Sequence, residues 1–138
     1  MEFDVKIGAT KVRVITTNSN QTTSFLWEGE NVLSTPSLIS EMEETCRLLL
    51  KDFVLKDKEW DSVGTIVDIK HLAITPVGST IRLRAIIESV KNRRVMFNVD
   101  AYDDIEKIGE GKHERFIINV SNFRSKFEEK KKKLNVKN

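Results

Sequence analysis

Thr35, Glu43, Gly64 and His71 are the residues whose types and placement could carry chemistry. His71 ends a segment of alternating apolar residues, just before a Pro/Gly turn. A histidine there is placed for proton transfer, and its unperturbed pKa is close to working pH. Gly64 lies early in the same segment, where a glycine marks a bulge or a close backbone approach. Its N–H could face a developing oxyanion. Thr35 sets a hydroxyl at the mouth of a helix, and Glu43 sets a carboxylate about two turns deeper. Each has a plainer reading: a helix cap for Thr35, a water-reaching rim residue for Glu43, a structural histidine, a simple bulge. The triplet His113-Glu114-Arg115 opens the last apolar segment and by itself implies no chemistry.

The element that must position these groups is the stretch Ser34 to Leu50. Leu38, Ile39, Met42, Cys46, Leu49 and Leu50 recur at the spacing of one helix face. Pro36 suits the first helical position, which makes Thr35 the expected N-cap. At about 100° per residue the apolar stripe covers roughly 120°, and Glu43 lies only about 20° beyond Leu50. Of Glu41, Glu43 and Glu44, Glu43 is therefore the acid expected to be half-buried.

Around this helix the period is that of strands. Residues 1 to 16 read as β-structure broken at Gly8-Ala9-Thr10, followed by a polar loop. Ser24-Phe25-Leu26-Trp27 is an apolar island in that loop, read either as a flap over a pocket or as a segment anchored by its two aromatics. Lys51 to Asp61 is a charged connection with Phe53, Val54, Leu55 and Trp60 as expected anchors. Strands follow over Ser62 to His71, Thr80 to Val90, Arg94 to Tyr102 and Lys112 to Val120, with hairpin connections at Lys91-Asn92-Arg93 and Asp103 to Gly111. Ile81, Leu83, Ala85 and Ile87 face inward, as do Val95, Phe97, Val99 and Ala101. In the last strand Phe116, Ile118 and Val120 share a face. One long amphipathic helix and a run of antiparallel strands give an α+β fold in which a curved sheet wraps the helix.

Length and charge narrow the classes of function. A chain of 138 residues is expected to form one domain, 1–138, with residues 124–138 a charged tail whose lysines suit a helix C-terminus. Lys+Arg 23 against Asp+Glu 21 leaves a net charge of +2, too little for a broad field toward nucleic acid. The one cysteine, Cys46, cannot form an internal disulfide, and two histidines exclude an all-histidine metal site in one chain. No apolar run reaches membrane-spanning length and the N-terminus lacks a signal-peptide pattern, so a cytoplasmic location is expected.

Three motifs carry a resemblance. T-P-S-L-I-S-E-M-E from Thr35, H-L-A-I-T-P-V-G from His71 and I-G-E-G-K-H-E-R ending at Arg115 occur in this order and spacing. The chain from about Val32 to Phe123 resembles the hotdog-fold acyl-CoA thioesterases, in particular the fluoroacetyl-CoA thioesterase type. The resemblance implies a long helix wrapped by an antiparallel sheet. It implies a catalytic set of Thr35, Glu43 and His71, with the Gly64 backbone N–H near the thioester oxygen and Arg115, the arginine of the H-E-R segment, as a further oxyanion- or substrate-binding residue. It implies a homodimer or higher oligomer with sheets joined edge to edge and the site near the subunit interface. No metal or bound cofactor is implied; CoA enters as part of the substrate.

The expected activity is hydrolysis of a short or medium acyl-CoA thioester. The fluoroacetyl type has a longer aromatic-rich lid ahead of its threonine, whereas this chain has Phe25, Leu26 and Trp27, and Pro36 stands in place of a small residue. Thioester hydrolysis needs an oxygen nucleophile, a proton shuttle and oxyanion stabilisation. Thr35 serves as nucleophile or anchor; Glu43 orients His71, positions water or attacks. The alternatives are a non-catalytic acyl-CoA-binding protein, an enoyl-CoA hydratase, disfavoured because Ile66, not Asp, lies five residues before His71, and a nucleic-acid-binding tail, Arg124 to Asn138, on an inert core.

Overall fold

The computed structural model describes residues 3–29, 31–54 and 58–136. Its central element is helix α1 (Thr35–Lys51). The helix start differs from expectation: Ser34, not Thr35, is the N-cap. Ser34 is extended, and its Oγ accepts from the Ser37 N–H at 3.2 Å. Thr35 becomes the first helical residue and Pro36 the second. Because Ser34 supplies the capping oxygen, the Thr35 hydroxyl is released for another partner.

Five strands form one antiparallel sheet: β1 (Thr10–Thr16), β2 (Trp60–His71), β3 (Thr80–Lys91), β4 (Arg94–Tyr102) and β5 (Lys107–Asn119), in the order β1-β3-β4-β5-β2. The expected inward faces of β3 and β4 are buried, from Ile81 to Ile87 and from Val95 to Ala101. They pack on Leu38, Met42, Cys46, Leu49 and Leu50 of α1. The α+β helix-in-sheet architecture is therefore the one expected. Val54 and Trp60 are buried and Phe53 is partly so, as anchors of the connection after α1; Leu55 lies outside the described residues.

Several boundaries move. Residues 5–7 form no strand; Phe3 and Val5 instead pack on the core, and Gly8 donates to the Ile87 carbonyl before β1 begins. β5 starts at Lys107, so the second hairpin loop shrinks to residues 103–106. Asp103 Oδ1 accepts from the N–H groups of Ile105 and Glu106 and closes that turn. The inward residues of β5 are Ile108, His113, Arg115 and Ile117, which leaves Phe116 and Ile118 on the outer face. Phe116 and Ile118 do share a face, and it is the outer one because two polar side chains occupy the inner one. The chain after β5 is helical, α2 (Val120–Lys133), capped by Asn119 and ending in four lysines.

The Ser24–Trp27 island is not anchored by its aromatics: Phe25 and Trp27 are 82% and 59% exposed. The buried Asn31 holds the loop instead. Its backbone N–H donates to Thr22 Oγ1 at 2.7 Å, and its amide donates to the carbonyls of Gly29 and Trp27.

Candidate active site

Two of the sequence-expected residues meet directly. Thr35 Oγ1 lies 2.7 Å from His71 Nδ1. The contact depends on how closely the start of α1 approaches the end of β2. His71 pairs in register with Gly109 of β5, and a Cβ at Gly109 would stand 2.9 Å from Leu38 Cδ2. The missing side chain at Gly109 lets the first turn of α1 settle beside the strand end that carries His71. The mouth is further tied down by the Leu33 N–H, which donates to the Thr75 carbonyl at 2.8 Å, just beyond His71 in the chain.

Burial pushes the His71 pKa below its ordinary value, so the imidazole is neutral at neutral pH. A neutral imidazole that accepts the Thr35 proton at Nδ1 carries its own hydrogen on Nε2. That Nε2 is buried and has no partner of good hydrogen-bond geometry among the described residues, although the Ala73 carbonyl lies close enough to the ring to oppose the lowering of its pKa. The pair has the arrangement of a hydroxyl with its general base.

Glu43, Gly64 and Arg115 form a second cluster. Eight residues separate Thr35 from Glu43 on α1, about 12 Å of helix rise. Glu43 Oε2 lies 3.9 Å from Arg115 Nη1 and 3.9 Å from His113 Nε2. Gly64 faces the same space: a Cβ there would stand 3.0 Å from Glu43 Oε2 and 3.0 Å from His113 Cε1. β2 shifts register against β5 between Gly64 and Ile66, so a bulge does sit where the glycine predicts one. A depression of about 350 Å³ opens beside Glu43 and Arg115.

Glu43 is not the most buried acid of α1. Its side chain is 37% exposed, whereas that of Glu41 is 22% exposed, held by Arg13 of β1 and by Gln21. Helix geometry alone omits these partners. Glu44 is occupied by Arg47, which lowers its pKa through a hydrogen bond. Glu43 is thus the acid of this helix whose neighbours are the residues of the candidate site.

Arg115 is buried and three of its five N–H donors are directed: Nε donates to Ser62 Oγ at 2.7 Å and Nη2 to the Ser62 carbonyl at 2.7 Å. Nη1 faces His113 Nε2 at 3.0 Å. Sequence reasoning missed both Ser62 and His113. The available signal was the alternation of β5, which puts His113 and Arg115 two residues apart on one face. Cys46 lies within electrostatic reach of Arg115 and Glu43, but burial pushes its thiol up to about 12. It is no rival nucleophile.

The geometry has counterparts among known proteins. The chain matches the family of fluoroacetyl-CoA-specific thioesterases over residues 17–121. It is similar to the fluoroacetyl-CoA thioesterase of Streptantibioticus cattleyicolor, 32% identical over 103 residues that make up 75% of this chain and 73% of that protein. Among solved structures it resembles a fluoroacetyl-CoA thioesterase with a TM-score of 0.82 and 27% identity, over 91% of this chain and 96% of that one. A threonine-to-serine variant of such an enzyme in complex with acetyl-CoA matches with a TM-score of 0.81 and 26% identity, over 91% of this chain and 98% of that one. A thioesterase superfamily member from Thermus thermophilus shares the fold, with a TM-score of 0.84 at 23% identity over 96% of this chain and 98% of that one. A match across most of the sequence, joined to a helix wrapped by an antiparallel sheet, means that the chain belongs to the fluoroacetyl-CoA-specific thioesterase family of hotdog-fold thioester hydrolases.

Proposed function

We propose that this protein hydrolyses a short or medium acyl-CoA thioester to the free acid and CoA, with Thr35, Glu43 and His71 as its catalytic residues. The observation that carries the reading is the 2.7 Å contact between Thr35 Oγ1 and His71 Nδ1. His71 accepts a proton from Thr35, or from a water that Thr35 helps to hold, as oxygen attacks the thioester carbonyl. The negative charge that develops on the carbonyl oxygen is met by the Gly64 backbone and Arg115. The protonated His71 then returns its proton to the departing CoA sulfur. Where Thr35 is the attacking oxygen, a water that gives its proton to His71 next cleaves the acyl–Thr35 ester, releasing the free acid and restoring the Thr35 hydroxyl. Glu43 orients water or the imidazole. No metal or resident cofactor enters these steps; CoA arrives with the substrate.

Within one chain the Thr35–His71 pair and the Glu43 cluster stand too far apart to act on one carbonyl. A second copy of the chain resolves this. β2 is an edge strand, and Ile66 and Val67 on it are 46% and 45% exposed. Antiparallel pairing of two β2 strands about Val67 and Asp68 would set Gly64 of one copy opposite His71 of the other. Each site then combines Thr35 and His71 from one subunit with Glu43, Gly64 and Arg115 from its partner. The orphaned His71 Nε2 supports this reading, because a carboxylate arriving from a second subunit would satisfy it. A homodimer or higher oligomer and a cytoplasmic location belong to the same proposal.

The test is thiol release from a panel of acyl-CoAs, fluoroacetyl-CoA and acetyl-CoA included, for wild type and His71→Ala. Release that collapses in the variant is expected, and the preferred chain length names the substrate. Acyl-CoA binding by calorimetry without thiol release would instead make this a binding protein, with Thr35, Glu43 and His71 lining a pocket.

A further inference from the structure

His113 is 1% exposed, lies against Arg115 and Glu43, and has no part in the chemistry above. Its surroundings determine its protonation. Nδ1 lies 2.7 Å from the Ile66 carbonyl, which can only accept, so Nδ1 must carry a hydrogen. Nε2 lies 3.0 Å from Arg115 Nη1, which can only donate, so Nε2 must present its lone pair. The two contacts together admit one state, the neutral Nδ1–H tautomer.

The groups facing the ring come from four elements. Arg115 stands beside it on β5, Glu43 faces it from α1, and the Ile66 carbonyl reaches it from β2. The Phe97 ring of β4 stacks on it at 6.4 Å between centroids. Burial is the largest influence on its pKa and pushes it down; Arg115 acts in the same sense, while the Ile66 contact and Glu43 oppose it.

The consequence concerns Arg115. A guanidinium and a carboxylate this close ordinarily close into a direct, often bidentate pair. Here the nearest approach is 3.9 Å, and three of the five guanidinium donors are directed elsewhere, two to Ser62 and one to His113. The donor given to His113 sits on Nη1, the nitrogen nearest Glu43. We propose that His113 is a positioning residue: as the neutral Nδ1–H tautomer it holds Arg115 off Glu43 and pins the Gly64–Ile66 bulge, leaving the carboxylate free for the reaction. Protonation would set an N–H on Nε2 against the Nη1 N–H, removing the restraint and releasing Arg115 toward Glu43. The tautomer follows from the contacts alone; the role in turnover rests on the thioesterase reading above.

The tautomer is tested without reference to activity. Long-range proton–nitrogen correlation spectra of the histidine rings are recorded on the wild-type protein across a pH series, with signals assigned by His71→Asn and His113→Asn. His113 is expected to show a protonated Nδ1 and a bare Nε2, and to titrate below the pH of about 6.5 of an ordinary histidine. A protonated Nε2, or ordinary titration, overturns the proposal. The role in turnover is tested with His113→Gln, whose side-chain oxygen can still accept from Arg115, and His113→Leu, which cannot. In the folded variants kcat is expected to fall about 10- to 100-fold for leucine, with little change in KM and part of the loss recovered by glutamine. Equal kcat in both variants overturns the positioning role. If the wild type hydrolyses no thioester, the spectra still decide the tautomer, so failure of the functional reading is told apart from failure of this one.

Discussion

Thr35 Oγ1 and His71 Nδ1 stand 2.7 Å apart although 36 residues separate them in the chain. The contact exists because Ser34 takes over the capping of α1, so the adjacent hydroxyl is not used on its own helix. Replacing Thr35 by valine keeps the shape and removes the oxygen. Thiol release is expected to fall about 10²- to 10⁴-fold, the range of a lost proton-transfer partner, while Thr35→Ser keeps most of it. Steady-state kinetics of the two variants decide this, and full activity of the valine variant would remove Thr35 from the catalytic set.

A Cβ at Gly64 would crowd its neighbours, meeting Glu43 Oε2 and His113 Cε1 at 3.0 Å. Gly64→Ala is expected to displace Glu43 or the bulge and lower kcat by about 10- to 100-fold, with far-ultraviolet circular dichroism unchanged. Wild-type kinetics in this variant would show that the close approach serves no catalytic purpose.

Leu38 and Gly109 pack as a pair beneath the mouth of the site. Leu38→Ala is expected to cost about 2–5 kcal/mol and Gly109→Ala about 1–3 kcal/mol through overpacking. The double variant should cost less than the sum, because the space left by leucine admits the new methyl group. Urea unfolding of the three variants measures the coupling; strict additivity would contradict the packing.

Burial lowers the pKa of both His71 and His113 in the folded chain, whereas in the unfolded chain each returns to about 6.5. Between those values the unfolded state binds protons that the native state does not, so stability rises with pH across that interval. The contribution is complete above about pH 6.5 and is lost as pH falls below it toward the lowered folded values. The urea midpoint at about pH 5.5 is expected below that at about pH 7.5, and His71→Asn combined with His113→Asn should flatten the difference. An equal or higher midpoint at the lower pH contradicts the burial of neutral histidines.

Ile66 and Val67 leave an apolar strip on the edge strand β2. Ile66→Lys places a charge on that edge, a feature that discourages strand pairing. Light scattering is expected to report a smaller particle than wild type, and thiol release should fall with it if two copies build each site. A monomeric variant with full activity would show that one chain is sufficient.

The sequence by itself determined the fold class, through a 3.6-residue period in one stretch and a two-residue period in the rest. Local patterning is enough there, because each element must bury its own apolar face. It also marked Thr35, Glu43, Gly64 and His71 as the residues to watch, and the resemblance added Arg115. Tertiary structure decided what each of them touches. Ser34 rather than Thr35 caps α1, since two adjacent hydroxyl residues offer the same local signal and only the distant His71 distinguishes them. Glu41 is more buried than Glu43, because Arg13 and Gln21 reach it from elsewhere in the fold. β5 turns His113 and Arg115 inward and Phe116 outward, whereas alternation told only which residues share a face. That arrangement is affordable only where buried polar groups find partners, and Ser62, Ile66 and Glu43 are brought to them by strand pairing and helix packing that no local pattern encodes.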